Sequence, residues 1–173
     1  MPQLRSLLAL SLSFFFAAAL AAAQEMHLPA RSTPAFDQLK SLAGEWEGKE
    51  TSSGMVVKLS YKVVSNGSAV METMRPANEP EMITMYTLEG DRIVVTHYCS
   101  AGNQPTMQTA PLSGATGKYD FTFVRVAGTK SPDEGHMAGL SVSIPDKDHL
   151  VEVWTFQNQG QSHAATFTYT RAK

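Results

Sequence analysis

The chain has a single cysteine, Cys99, among 173 residues. One thiol cannot form an internal disulfide, so Cys99 is a buried thiol, a ligand or a reactive group rather than half of a staple. Charge is also sparse: Asp, Glu, Lys and Arg make up 17% of the residues, with 14 basic against 16 acidic. No basic patch appears, so nucleic acid is a poor candidate partner. The sequence contains no Gly-x-Ser-x-Gly elbow, no phosphate-cradling glycine loop and no His-Glu-x-x-His zinc motif, which argues against a hydrolase or nucleotide enzyme. Helical periodicity is almost missing too, and there is no internal repeat or low-complexity tract.

The one long apolar run lies at the start. Arg5 is followed by Leu7–Leu20 and then by Ala21-Ala22-Ala23. Charged, apolar and small residues in that order predict a secretory signal peptide over 1–23, cleaved between Ala23 and Gln24. The run is somewhat shorter than the roughly 20 residues a spanning helix needs, so no stable membrane insertion is expected after cleavage. The mature protein is then exported, periplasmic or secreted. Without Arg5 it carries 13 basic and 16 acidic residues, a balance of −3, and its length of about 150 residues suits one domain.

Residues 24–34, with Pro29 and Pro34, read as an irregular leader, and 35–173 as the domain. Phe36, Leu39 and Leu42 fall at helical spacing, with Thr33 as a candidate N-cap before Pro34 and Gly44 as the stop. Everything after Gly44 reads as strands. Met55, Val57, Leu59, Tyr61 and Val63 alternate with polar residues, as do Tyr119, Phe121 and Phe123. Asn66-Gly67 fits a hairpin turn better than a used glycosylation sequon. About ten short antiparallel strands after one helix predict an all-β fold, an up-and-down barrel closed on itself, with a two-sheet sandwich as the alternative. A barrel of that size has room for a small ligand.

The segment Leu39-Lys40-Ser41-Leu42-Ala43-Gly44-Glu45-Trp46-Glu47-Gly48 resembles the opening of the lipocalin-like (calycin) barrels, where a short helix leads into Gly-x-Trp. The resemblance implies that Trp46, after Gly44, plugs the closed end beneath the helix. Gly-x-Trp-x-Gly is also similar to the opening of the nitrobindin-type haem barrels, which place an axial histidine late in the chain, and that likeness implies His163 as a haem ligand. The run Thr96-His97-Tyr98-Cys99-x-x-Gly102-Asn103-Gln104-Pro105-x-Met107 is similar to a bacterial lipocalin-like branch of unassigned function.

Residue by residue, the interior contacts follow from strand alternation. Ile93, Val95, His97 and Cys99 share the more apolar face of one strand. His97 and Cys99 read first as a hydrogen-bonded core histidine beside an inert thiol; the alternative is a ligand-contacting pair, with His97 as one of the few polar groups orienting an apolar ligand. Two ligands do not make a metal site, so no metal is expected. Tyr61, Phe121, Phe123 and Phe167 supply apolar wall. Glu72 shares a face with Val70 and Met74, and an inward carboxylate would need a partner such as Arg125 or Arg171. Tyr169-x-Arg171 faintly resembles the carboxylate grip of fatty-acid-binding barrels. Met71, Met74, Met82 and Met85 invite a copper reading. Separations of three, however, put the members of each pair on opposite strand faces. The expected function is binding of a small, mostly apolar molecule without catalysis and without a cofactor. The alternatives are a haem protein using His163 for redox or peroxynitrite chemistry, and an interaction module with a filled core.

Overall fold

The computed structural model describes residues 30–131 and 133–173. The expected signal peptide over 1–23, and the leader up to residue 29, lie outside the described residues. The described chain begins with helix α1, Pro34–Lys40. Ten strands follow: β1 Gly44–Glu50, β2 Val56–Val64, β3 Ala69–Pro76, β4 Met82–Glu89, β5 Arg92–Tyr98, β6 Gln104–Thr109, β7 Lys118–Ala127, β8 His136–Asp146, β9 His149–Asn158 and β10 Gln161–Arg171. Each pairs antiparallel with the next, and β10 returns to β1, closing the barrel. The all-β, ten-stranded up-and-down barrel read from the sequence is the fold, and closure leaves no unpaired edge.

Helix α1 forms for local reasons. Thr33 caps it, its hydroxyl accepting from the Phe36 amide at 3.2 Å, and Pro34 occupies the first turn. The helix stops at Lys40, slightly before the Gly44 expected from the sequence. Ala35, Phe36 and Leu39 face the barrel and are buried. Gly44 follows with φ of +132°, where a Cβ would lie 2.9 Å from Arg171 Nη1. Trp46 comes next, 1% exposed, with its indole N–H donating to the Leu42 carbonyl at 2.9 Å.

Arg171, at the end of the last strand, holds this plug in place. Its guanidinium lies 4.2 Å from the Trp46 ring and donates to the carbonyls of Ser41, Ala43 and Lys147. Two of those carbonyls follow α1, where unpaired acceptors need donors. Arg171 is therefore committed at the closed end and does not partner Glu72. Gln38 adds a second tie: its side-chain oxygen accepts from the Gly117 amide at 3.0 Å and from the Tyr119 hydroxyl.

Because the topology is up-and-down, the β1–β2, β3–β4, β5–β6, β7–β8 and β9–β10 connections all lie at the end opposite α1. Pairing is incomplete there. β7 and β8 stay in register from Lys118↔Ser143 to Thr122↔Gly139 and then part. On the other side of β7 the register with β6 shifts between Thr106 and Met107, leaving Val124 without a partner. The bulge lies beyond Phe123, which stays in register with Met107; what Phe123 lacks is a partner on β8, where pairing ends at Thr122. Phe121 is buried as expected, but Phe123 is 41% exposed, with its ring 4.9 Å from that of His136.

Trp46→Ala removes the largest side chain of the plug and is expected to lower stability by about 3–5 kcal/mol. Equilibrium urea unfolding checks this, and a midpoint unchanged from wild type would take Trp46 out of the set of side chains that hold the closed end.

Candidate functional site

The cross-strand register builds a polar row inside the barrel. Tyr61 on β2 stands opposite Glu72 on β3, Glu72 opposite Thr84 on β4, and Thr84 opposite His97 on β5. Directly opposed positions on one sheet face bring side chains into contact, and all four are at most 3% exposed. Glu152 faces them from β9, with no exposure at all.

The hydrogen bonds are continuous. Glu72 meets the hydroxyls of Tyr61 at 2.8 Å, Tyr86 at 2.5 Å and Thr84 at 3.1 Å. Tyr61 Oη also lies 2.5 Å from Glu152 Oε1, and the Trp154 indole N–H donates to Glu152 Oε2 at 3.1 Å. Thr84 Oγ1 is 3.0 Å from His97 Nδ1. Beyond Nδ1 the row ends: His97 Nε2 is buried and has no partner among the described residues. The imidazole lies 4.6 Å from the Trp154 ring.

Tyr61 has one hydroxyl proton and two carboxyl neighbours, so it donates to one and accepts from the other. One carboxyl must therefore carry a proton. Burial raises both above the ordinary carboxylate range; Glu152 is pushed well above it, by burial first and then by the charge on Glu72. Three hydroxyls work in the opposite direction on Glu72. With three hydroxyls turned toward Glu72 and only one toward Glu152, the arrangement favours the charge on Glu72 and the proton on Glu152, donating to Tyr61. Burial likewise raises Tyr61 and Tyr86 well above the usual phenol range, so both stay protonated as donors. His97 is lowered to about 4 by burial and is neutral at neutral pH.

Above this layer, toward the end away from α1, the barrel opens into a cavity of about 1010 Å³. Its walls include Met55, Met74, Met82, Met137, Trp154, Phe156 and Phe167, with His97 and Cys99 among the lining residues. His163 and Glu50 stand at the rim, in the mouth-end turns of β10 and β1. The Glu50 carboxylate accepts from the amides of Ser52 and Ser53 and from the Ser52 hydroxyl. Those bonds, led by Ser53, hold its pKa down to about 2. No lysine or arginine is among the lining residues.

The site residues read from the sequence divide accordingly. His97, Cys99 and Phe167 meet in the cavity, joined at the rim by His163. Tyr61 lies in the carboxylate layer, and Phe121 packs edge-on against Tyr86 at 5.9 Å. Tyr169 is buried and stacked on Phe167, with its hydroxyl unpartnered. Phe123 and Arg125 are exposed on β7 and do not line the cavity, and Glu72 is held by hydroxyls rather than by Arg125. Trp46 and Gly44 are at the closed end.

Of the conspicuous Thr96–Met107 segment, part is structural. The Cys99 amide donates to the Asn103 carbonyl at 3.1 Å, and Asn103 Nδ2 donates to the Gly135 carbonyl at 2.8 Å. This ties the β5–β6 loop to the start of β8. The methionine reading is refined in the same way. Met74 and Met82 are cross-strand neighbours that both line the cavity, while Met71 pairs with Met85 on the outer face. Among the described residues, no three His, Cys, Asp or Glu side chains converge on a metal position.

Glu152, Tyr86, Thr84 and Trp154 were not singled out in the sequence. The signal for Glu152 was present, since it alternates with Leu150 and Trp154 on an apolar strand face.

No family model matches the chain, and no curated protein matches it. Solved structures do. Rv2717c from M. tuberculosis is similar over 83% of this chain and 100% of its own, with 14% identity and a TM-score of 0.58. A protein of unknown function of the DUF3598 family from Nostoc punctiforme is similar over 86% of this chain and 53% of its own, with 13% identity and a TM-score of 0.52. At those identities the likeness is one of fold.

The protonated Glu152 makes stability depend on pH. Between the unfolded value of 4.5 and its higher folded value, the native state holds a proton that the unfolded chain releases. Stability therefore falls as pH rises through that window, at up to about 1.4 kcal/mol per pH unit. Glu152→Gln keeps a donor toward Tyr61 and an acceptor toward Trp154. It is expected to lose this slope, so that urea unfolding from pH 5 to 8 shows wild type falling relative to the variant. Parallel curves would put an anion on Glu152.

Proposed function

We propose that the protein is an exported, lipocalin-like carrier whose open-end cavity takes up a small, largely apolar and uncharged molecule. The observation that carries this reading is a cavity of about 1010 Å³ walled by methionine and aromatic side chains, with the His97 imidazole among its lining residues. Mostly apolar walls with few polar groups are what ligand pockets have in common, and unbranched methionines adapt to irregular ligands. An uncharged ligand is favoured by the charge pattern. The lining offers no cation to a carboxylate, while Glu50 stands ionised at the rim. Export rests on the charged, apolar, small order of residues 1–23.

A second reading, haem bound through His163, is favoured by that histidine lining the mouth of the same cavity. A neutral imidazole is an ordinary haem iron ligand, and Met55, Met74 and Phe167 are apolar lining residues that would pack against the group. Such a group would bring redox chemistry that the side chains lack.

Native mass spectrometry and an absorption spectrum of protein purified from its own compartment separate the two readings. A bound mass of a few hundred daltons without colour is the expected outcome, and a Soret band with a haem mass would put His163 first. In titrations with the neutral dye N-phenyl-1-naphthylamine, wild type is expected to bind. Ala165→Trp, which fills the cavity from β10, should weaken binding about tenfold or more. Equal affinity in both proteins would place the dye elsewhere.

A further inference from the structure

We infer that the buried Glu72 carboxylate, acting across Thr84, fixes the tautomer of His97 so that a bare Nε2 lone pair faces the ligand, selecting molecules that present a hydrogen-bond donor. The inference rests on the carrier reading and names the polar group its ligand must have.

The derivation is proton counting along the row. Thr84 has one hydroxyl proton and two acceptor neighbours, Glu72 Oε1 at 3.1 Å and His97 Nδ1 at 3.0 Å. A carboxylate accepts only, and it is the stronger acceptor for the threonine proton. With its proton given to Glu72, Thr84 Oγ1 can only accept from His97. Nδ1 therefore carries the imidazole hydrogen. A neutral imidazole has one N–H, so Nε2 is an acceptor without a partner. A buried polar atom left unpaired is costly, and a ligand donor that reaches Nε2 removes that cost. Met74 and Met82, flexible lining side chains next to this row on β3 and β4, can give way to it.

The same counting predicts how to invert the preference. Tyr61 and Tyr86 both donate to Glu72 Oε2, whereas Thr84 meets Oε1. In Glu72→Gln the carbonyl oxygen takes the place facing the two tyrosines, and the amide N–H faces Thr84. Thr84 then donates to His97 Nδ1, and the hydrogen moves to Nε2. The site becomes a donor.

Two measurements test this. Nitrogen-15 NMR of histidine-labelled protein at pH 8 should show His97 with a protonated Nδ1 and a bare Nε2 in wild type, and the opposite tautomer in Glu72→Gln. A protonated Nε2 in wild type overturns the inference without reference to any ligand or variant. The second measurement is fluorescence titration with carbazole, which only donates, and acridine, which only accepts. The carbazole-to-acridine affinity ratio should be at least about tenfold higher in wild type than in Glu72→Gln, one hydrogen bond exchanged for an unmet pair. The same ratio in both proteins overturns the inference and leaves the carrier reading standing. If neither compound binds wild type, the carrier reading itself is overturned.

Discussion

Two carboxyl groups with no solvent exposure sit inside this barrel, and everything around them is arranged to make that tolerable. Each would cost several kcal/mol to bury as an ion, and two anions at that separation would repel each other as well. The structure meets the constraint by holding one proton between them, through the Tyr61 hydroxyl, and by aiming three hydroxyls at the remaining charge. The groups that satisfy it come from β2, β3, β4 and β9, so the register of those strands is pinned by chemistry as well as by packing. A one-residue slip of β3 would turn Glu72 to solvent and take away the acceptor that Tyr61, Tyr86 and Thr84 share.

That layer divides the barrel. On the α1 side the interior is filled by Trp46, Ile93, Tyr119 and Leu150, with the helix and Arg171 as the cover. On the other side the strands lose pairing at β7–β8, and the space remains open. An apolar barrel of this size would gain by collapsing side chains into such a space. The polar layer resists collapse from below because its members are already committed to one another. The incomplete pairing at the mouth leaves the cavity open at that end.

The sequence showed the architecture well and the site in part. Strand alternation and the Gly-x-Trp opening were local signals, and barrel, helix and plug followed from them. His97 and Cys99 were found because Ile93 and Val95 fixed which face of their strand was apolar. Phe123 was misplaced because its exposure follows from where β8 parts from β7, after Thr122, which leaves no trace in the Tyr119-Phe121-Phe123 alternation. The expectation that Glu72 needs a partner was sound. Choosing arginine for that partner was not, because the shared-proton solution requires knowing that Glu152 lies across the barrel. Likewise, spacing along one strand correctly separated Met71 from Met74, but only the β3–β4 register shows Met74 beside Met82.

On the carrier reading proposed above, His97 serves as an acceptor. Burial lowers its pKa to about 4, far below the range in which a histidine serves as an efficient general base near neutral pH. Its Nδ1 is occupied by a hydroxyl–carboxylate row, superficially like the orienting group behind a catalytic histidine. The lining side chain next to it, just past the end of β5, is Cys99, and the wall beyond is thioether and aromatic. A row that fixes the ring while burial keeps it neutral produces a directional acceptor instead of a base. With no lysine or arginine among the described lining residues and an ionised carboxylate at the mouth, such an acceptor is suited, on the carrier reading, to orienting an uncharged molecule by a single hydrogen bond.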